Sequence, residues 1–265
     1  MHRISPKFAG QFVAHFKAGL ACAAITTLLL AGAAGHATDL ITNGGFESNT
    51  GNGQVGVNTS VTDWTVTDIG NGTYTFLYAA GTADTTGANG QYGNVALWGP
   101  NDGSANGLPA SSPAGGYYMA EDSDFQVGPI QQTINGLIVG DTYTLGFYWA
   151  AAQQYLFTGV NSSGFEVSLG GQTFSTALDT IPSEGFSGWQ YQTFNYTPTS
   201  SSELLSFLAY GSPQVPPFAL LDGVSLDGTS AVPEPETWAL LLTGLMAGAG
   251  LLKSRKWLRR PQQSI

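Results

Sequence analysis

Thr142-Tyr143-Thr144-Leu145-Gly146-Phe147-Tyr148-Trp149 sets Tyr143, Leu145, Phe147 and Trp149 on one face of an extended chain and Thr142, Thr144, Gly146 and Tyr148 on the other. Side chains alternate with period two along a strand, so this octet reads as a half-buried β-strand. The same alternation, or enrichment in β-branched and aromatic residues, returns at 64–67, 73–78, 95–98, 117–120, 130–134, 165–169, 189–196, 204–210 and 218–226. Clusters of Gly, Asn, Asp, Ser and Pro separate these runs, and no helical period interrupts them. Many short strands with polar turns imply an all-β domain, a jelly-roll β-sandwich. Two Gly/Asn/Ser-rich tracts, 81–93 and 99–116, read as long loops, which in a compact domain are functional or mobile.

Charge is distributed unevenly. Every Lys and Arg of the 265-residue chain lies at or before Lys17 or at or after Lys253, and every His and the single Cys lie before Thr38. The stretch between, 38–228, carries sixteen Asp and Glu and no cation. A Ser-His-Asp or Cys-His nucleophile has no base there. Zinc sites lack His and Cys ligands, and nucleic acid finds no cation on the surface. An acidic domain of this kind invites a hard divalent cation such as Ca²⁺, which takes oxygen ligands. Neutral partners remain open.

The flanks carry addressing signals. Residues 1–37 have a basic start (Arg3, Lys7, Lys17), an apolar run over 18–34, and small residues in Gly35-His36-Ala37, so they read as a signal peptide cleaved after Ala37. A retained N-terminal anchor is the alternative. At the other end, a Pro-rich linker (229–237) contains Val232-Pro233-Glu234-Pro235. An uncharged stretch follows at 238–252, then a basic tail at 253–265 with Lys253, Arg255, Lys256, Arg259 and Arg260. Fifteen apolar residues fall short of the ~20 of an ordinary membrane span. Snorkelling cations and Trp238 and Trp257 at the interfaces make up the difference. The positive-inside rule then places the tail in the cytoplasm and the acidic domain outside it. A buried C-terminal core helix is the alternative.

This order of Pro-Glu-Pro, short apolar helix and basic tail resembles the PEP-CTERM sorting signal of Gram-negative bacteria. The resemblance implies recognition by an exosortase-type membrane enzyme. It also implies anchorage in the inner membrane before processing, then residence at the cell surface or in an extracellular, exopolysaccharide-rich biofilm matrix.

A second resemblance covers the acidic domain. Leu40-Ile41-Thr42-Asn43-Gly44-Gly45-Phe46-Glu47 opens it, and Asp63-Trp64-Thr65, Ile130-Gln131-Gln132-Thr133-Ile134, Gly140–Phe147 and Gly188-Trp189-Gln190 follow. Phe218-Ala219-Leu220-Leu221-Asp222-Gly223-Val224-Ser225-Leu226 closes the series. In this order the segments resemble jelly-roll carbohydrate-binding modules of the galactose-binding-like type. That likeness implies a structural Ca²⁺ held by Glu47 and Asp222. The residues alone also permit Asp222-Gly223 as a hairpin turn pair and Glu47 as a solvated loop residue.

Sugar faces stack on flat rings, so Trp98, Tyr117 and Tyr118 are the expected platform, with Asn101, Asp102 and Gln131 as hydrogen-bonding partners. Ordinary core and rim roles are the alternative for all six. Glu121-Asp122-Ser123-Asp124 reads as a solvated turn; a second Ca²⁺ loop is the alternative, although the tract lacks the spacing and Gly of an EF-hand loop.

The sequence therefore predicts an exported, non-catalytic protein that binds neutral or Ca²⁺-bridged polysaccharide. A structural or adhesive matrix protein with no sugar site is the alternative. Further off stand a carboxylate-based glycoside hydrolase drawing on Glu121, Glu166 and Glu184, and an ice-binding protein, for which no Thr-x-Thr ladder is present.

Overall fold

The computed structural model describes residues 39–70 and 72–228. The signal peptide, the sorting motif Val232, Pro233, Glu234 and Pro235, the apolar stretch 238–252 and the basic tail lie outside the described residues. Among the described residues, no helix is long and apolar enough to cross a membrane.

Among the described residues, fourteen strands form the domain. They are β1 (Gly53–Gln54), β2 (Thr65–Val66), β3 (Thr75–Tyr78), β4 (Ala88–Gly90), β5 (Gly93–Val95), β6 (Tyr118–Asp122) and β7 (Ile130–Asn135), then β8 (Tyr143–Gln153), β9 (Asn161–Leu169), β10 (Gln172–Ser175), β11 (Asp179–Ile181), β12 (Gln190–Tyr196), β13 (Ser202–Ser212) and β14 (Pro217–Gly228). One sheet has the order β1-β3-β6-β14-β8-β12, and the facing sheet has β10-β9-β13-β7-β2 with β11 also on β9. All these pairings are antiparallel. The long strands β6, β7, β8, β9, β12, β13 and β14 alternate between the two sheets, which is the jelly-roll path expected from the sequence.

The core between the sheets is built by the period-two rule. Tyr143, Leu145, Phe147 and Trp149 of β8 all turn inward and meet Ile130, Ile134, Phe165, Val167, Leu205 and Phe207 from the facing sheet. Phe207 takes Phe147 and Phe165 edge-on, at centroid distances of 5.0 and 6.0 Å. Each such fully buried side chain contributes about 1.5–3 kcal/mol of transfer free energy.

β14 breaks the alternation, and the break has a purpose in packing. Ala219 and Leu221 face inward, then Val224 and Leu226 do, so the parity flips between them. A register shift between Asp222 and Ser225 accommodates the extra residue, with Gly223 at φ 57°. This is a β-bulge, whose left-handed residue glycine adopts without a Cβ penalty. The Asp222-Gly223 pair is therefore not a hairpin turn.

The first sheet is buried on both faces along β3, β6 and the adjoining parts of β8 and β14, whereas β12 stays largely exposed. Phe76, Tyr78, Tyr118, Ala120, Ala150, Ala152, Phe218 and Leu220 point away from the central core and form a second one. Ala83, Ala88, Val95, Leu97 and Leu108 close it from above. These covering residues come from the Gly-rich tracts or the short segment joining them, so the expected long loops fold down as a lid that carries the hairpin β4–β5. The expected strand at 95–98 retains only Val95 in β5. Beyond it, Leu97 makes an isolated bridge to Gln154.

Candidate functional site

The expected aromatic platform does not assemble. Tyr117 packs toward the central core and Tyr118 into the second core, because neighbouring residues of an extended chain face opposite ways. Tyr118 is fully buried, edge-on to Trp189 at 5.5 Å, and its hydroxyl has no hydrogen-bond partner. Burial, then the charges of Asp84 and Asp222, push its phenol well above the usual range. Trp98 is half-buried. Its Nε1 donates to the carbonyl of Phe157 at 2.7 Å and its ring meets Tyr155 edge-on at 4.7 Å. It braces a loop.

The expected polar partners scatter as well. Asn101 and Asp102 lie in a 3-10 turn, Pro100–Asp102. Asn101 spends its backbone N–H and its Nδ2 on Asp84 (3.0–3.1 Å), and Asp102 accepts the N–H of Gly99 at 2.8 Å. Asp102 is raised above the usual carboxylate range chiefly by burial. Gln131 belongs to β7 of the other sheet, where its Oε1 accepts the hydroxyl of Thr67 at 2.7 Å. There it lines a groove of about 470 Å³ with Leu40, Thr42, Asp63, Thr65 and Leu204, a mixed surface without an aromatic ring.

Glu47 and Asp222 are brought together. Asp222 is fully buried. Its Oδ1 accepts the N–H of Gly223 at 2.7 Å, and its Oδ2 accepts the hydroxyl of Ser112. Burial raises it to about 7, against the pull of both hydrogen bonds and with the charge of Glu47 adding to the rise. Glu47 is exposed, and its Oε1 accepts the N–H of Tyr117 at 2.8 Å. Gly116 is required beside the pair: it sits at φ 61°, and a Cβ there would lie 1.6 Å from Glu47 Oε1, whereas a Cβ on Gly45 would meet Asp222 Oδ1 at an ordinary 3.9 Å. Two carboxylates of like charge, one of them buried, in a domain without a basic residue fit the donor chemistry of a hard divalent cation.

A more concentrated site lies elsewhere, at one end of the sandwich. A cleft of about 270 Å³ opens where the β6–β7, β8–β9 and β13–β14 loops converge, and Tyr74, Asp122, Asp124, Phe125, Gln154 and Phe157 line it together with Gln214 and Pro216. Phe125 and Phe157 are 42% and 43% exposed, unusual for phenylalanine, and Tyr92 nearby is 63% exposed. Tyr74 meets Phe125 edge-on at 5.3 Å, and Tyr92 lies 6.0 Å from Phe125. Both rims carry a non-glycine residue in the left-handed region, Gln126 at φ 47° and Leu156 at φ 72°. Strain of this kind persists where the surroundings hold it, and it concentrates at ligand sites.

Buried polar groups fix the cleft from behind. Gln153 is fully buried. Its Nε2 donates to Val215 O (2.7 Å) and Gly159 O (3.2 Å), and its Oε1 accepts the N–H of Glu184 (2.6 Å). One side chain thus ties two rim loops together. Asp122, 1% exposed, uses Oδ1 to accept the N–H groups of Asp124 and Phe125, both at 2.9 Å, which turns the chain and presents the Phe125 ring. Its Oδ2 is buried and has no partner. Burial foremost, then the charge of Asp124, raises Asp122 to about 7 against those two hydrogen bonds. Tyr74 rises to about 12 through burial and the neighbouring charge of Asp122.

Glu121 points the other way. It is fully buried and accepts the N–H groups of Gly128 (3.0 Å) and of Ala209 in the facing sheet (3.1 Å). Burial drives it well above the usual carboxylate range. Residues 121–123 are therefore not a solvated turn. They form the buried end of β6 and the start of the rim. The sequence reading missed Tyr74, Phe125 and Phe157 because each stands in a different inter-strand segment. The local signal was an acidic side chain two or three residues before a loop aromatic, Asp122 ahead of Phe125.

No protein-family model matches the chain, and no curated protein sequence does. Among solved structures the chain is similar to TmCBM61 in complex with β-1,4-galactotriose, with 15% identity over 72% of this chain and 99% of that one and a TM-score of 0.39. It is also similar to the CBM22-1 xylan-binding domain of Paenibacillus barcinonensis Xyn10C, with 12% identity, 76% and 100% coverage and a TM-score of 0.37. The K3 adhesin domain of Lys-gingipain from Porphyromonas gingivalis gives 13% identity, 63% and 92% coverage and a TM-score of 0.37. At this level of similarity, none of the three bears on ligand or activity.

Proposed function

We propose that the domain is a non-catalytic polysaccharide-binding module of an exported protein, and that the loop-end cleft is its sugar site. The observation that carries this reading is the grouping of Tyr74, Phe125 and Phe157 around one cleft with Asp122, Asp124, Gln154 and Gln214 beside them. Pyranose rings offer apolar C–H faces to aromatic rings and hydroxyl groups to carboxylates and amides, and both kinds of partner are present. A neutral glycan suits a surface with no Lys, Arg or His between residues 39 and 228, and an anionic one needs a bridging cation. Ca²⁺ held between Glu47 and Asp222 would join the opening segment to β14 as a structural ion. Export through residues 1–37 and exosortase-type sorting through Val232-Pro233-Glu234-Pro235 complete the proposal, with the cell surface or matrix as destination.

A glycan-array screen of the purified chain, with Ca²⁺ and again with chelator, tests it. The expected result is binding to one polysaccharide class that drops roughly 2- to 12-fold in Phe125→Ala and Phe157→Ala, in keeping with ~0.5–1.5 kcal/mol for an aromatic contact beyond its area. Silence on all glycans, with both variants folded, favours a structural or adhesive matrix protein.

A further inference from the structure

We infer that Asp122 and Asp124, with the side-chain oxygens of Gln154, Gln214 and Tyr74, form a second site for a hard divalent cation, such as Ca²⁺, inside the loop-end cleft and separate from Glu47 and Asp222. All five residues line the same cleft, and every donor they offer to a metal is oxygen. Oxygen-only sets select Ca²⁺ or Mg²⁺ over softer metals.

The buried, unpartnered Oδ2 of Asp122 is the observation that points to a ligand. Its sister oxygen is already committed to two backbone N–H groups, so the carboxylate is held in one orientation and Oδ2 cannot turn to find a partner. No ammonium, guanidinium or imidazolium occurs between residues 39 and 228 to approach it. Asp124, two residues on, adds a second negative charge that bears on Asp122. A sugar hydroxyl would give Oδ2 a proton donor, but it would leave both charges in place. A divalent cation answers the missing partner and the charge together. The five protein oxygens stop short of the roughly 6–8 that Ca²⁺ takes, so positions stay open to water or to hydroxyl groups of a bound glycan. Only the glycan contact rests on the sugar reading above.

Calorimetric titration of CaCl₂ into the full-length, chelator-stripped chain in detergent tests the site. Asp124→Asn, at a partly exposed loop position, is expected to lose one bound Ca²⁺ relative to wild type or to bind it at least ~10-fold more weakly. Asp122→Asn is expected to do the same, and Glu47→Gln to leave that ion in place. Near-UV circular dichroism reports folding, and if Asp122→Asn does not fold, Asp124→Asn carries the test. Wild-type stoichiometry and affinity in Asp124→Asn would overturn the inference. Loss of the ion in Asp124→Asn with no glycan bound by wild type would uphold it while removing the sugar reading. Glycan binding without any ion assigned to Asp124 would do the reverse.

Discussion

The indole Nε1 of Trp98 donates to the carbonyl oxygen of Phe157 at 2.7 Å, joining the lid over the first sheet to the exposed rim of the cleft. A tryptophan expected to stack on ligand instead holds in place the phenylalanine loop that lines the candidate site. This places Trp98 one step behind the candidate site, and its removal should act through loop order.

Trp98→Phe keeps a ring in the packing and removes the donor. A net hydrogen bond is worth about 1 kcal/mol, and a domain of this size shifts its Tm by roughly 2–4 °C per kcal/mol. The expected loss is therefore ~2–4 °C in calorimetry, with faster amide exchange at 154–160 and unchanged exchange in β7 and β13. Equal acceleration throughout the domain would show that the bond does not act locally.

Gln153→Leu should cost more. The substitution leaves the carbonyl of Val215 and the N–H of Glu184 without their present partner, while the Gly159 carbonyl keeps Asn161 Nδ2 at 3.3 Å, and buried unsatisfied groups cost about 1–3 kcal/mol each. Water entering behind the loops recovers part of this, so a Tm loss of ~5–10 °C is expected, with weakened binding of any ligand in the cleft. A Tm within 1–2 °C of wild type, on the same scale, would show that the loops do not depend on Gln153.

Stability should fall as pH rises, in the presence of chelator. Asp122 and Asp222 are raised to about 7 in the folded domain and Glu121 well above its ordinary value, mainly by burial. Between the unfolded value of about 4 and these folded values, the native state binds more protons than the unfolded chain, so the slope of unfolding free energy with pH is negative. The Asp122 and Asp222 contributions are fully present below about pH 4 and are lost as pH rises through about 7, and that of Glu121 is lost as pH rises through its own raised value. The expected observation is a Tm several degrees lower at pH 8 than at pH 5, with a shallower slope in Glu121→Gln. A Tm that climbs over this interval would contradict it.

Ca²⁺ should offset that loss through Glu47 and Asp222. A ligand at 100-fold its Kd adds about 2.7 kcal/mol, or roughly 5–10 °C here. Asp222→Asn and Glu47→Gln should each reduce the response. Gly116→Ala should reduce it too, since its Cβ would collide with the Glu47 carboxylate. Full thermal response in Glu47→Gln would remove this pair from metal binding.

Much of the sandwich was legible in the sequence because strand alternation is local. Tyr143, Leu145, Phe147 and Trp149 declare their face without reference to any other strand, and all four lie in the central core. Composition also limited the chemistry at hand, since no fold supplies the Lys, Arg, His or Cys that residues 38–228 lack. Less was legible where polar residues build strands: Asn161, Ser162 and Ser163 open β9 buried, although their types signal a turn. Tertiary structure alone decided that a lid covers the first sheet, that Tyr117 and Tyr118 part company, and that Gly223 inserts a bulge where the sequence also allowed a hairpin. It decided the cleft as well. Tyr74, Phe125, Phe157 and Gln214 stand in separate inter-strand segments, and they converge only because long-range antiparallel pairing brings those segments to the same end of the sandwich. Periodicity reports which way a side chain points, whereas proximity between loops follows from which strands pair, and that is a property of the whole chain.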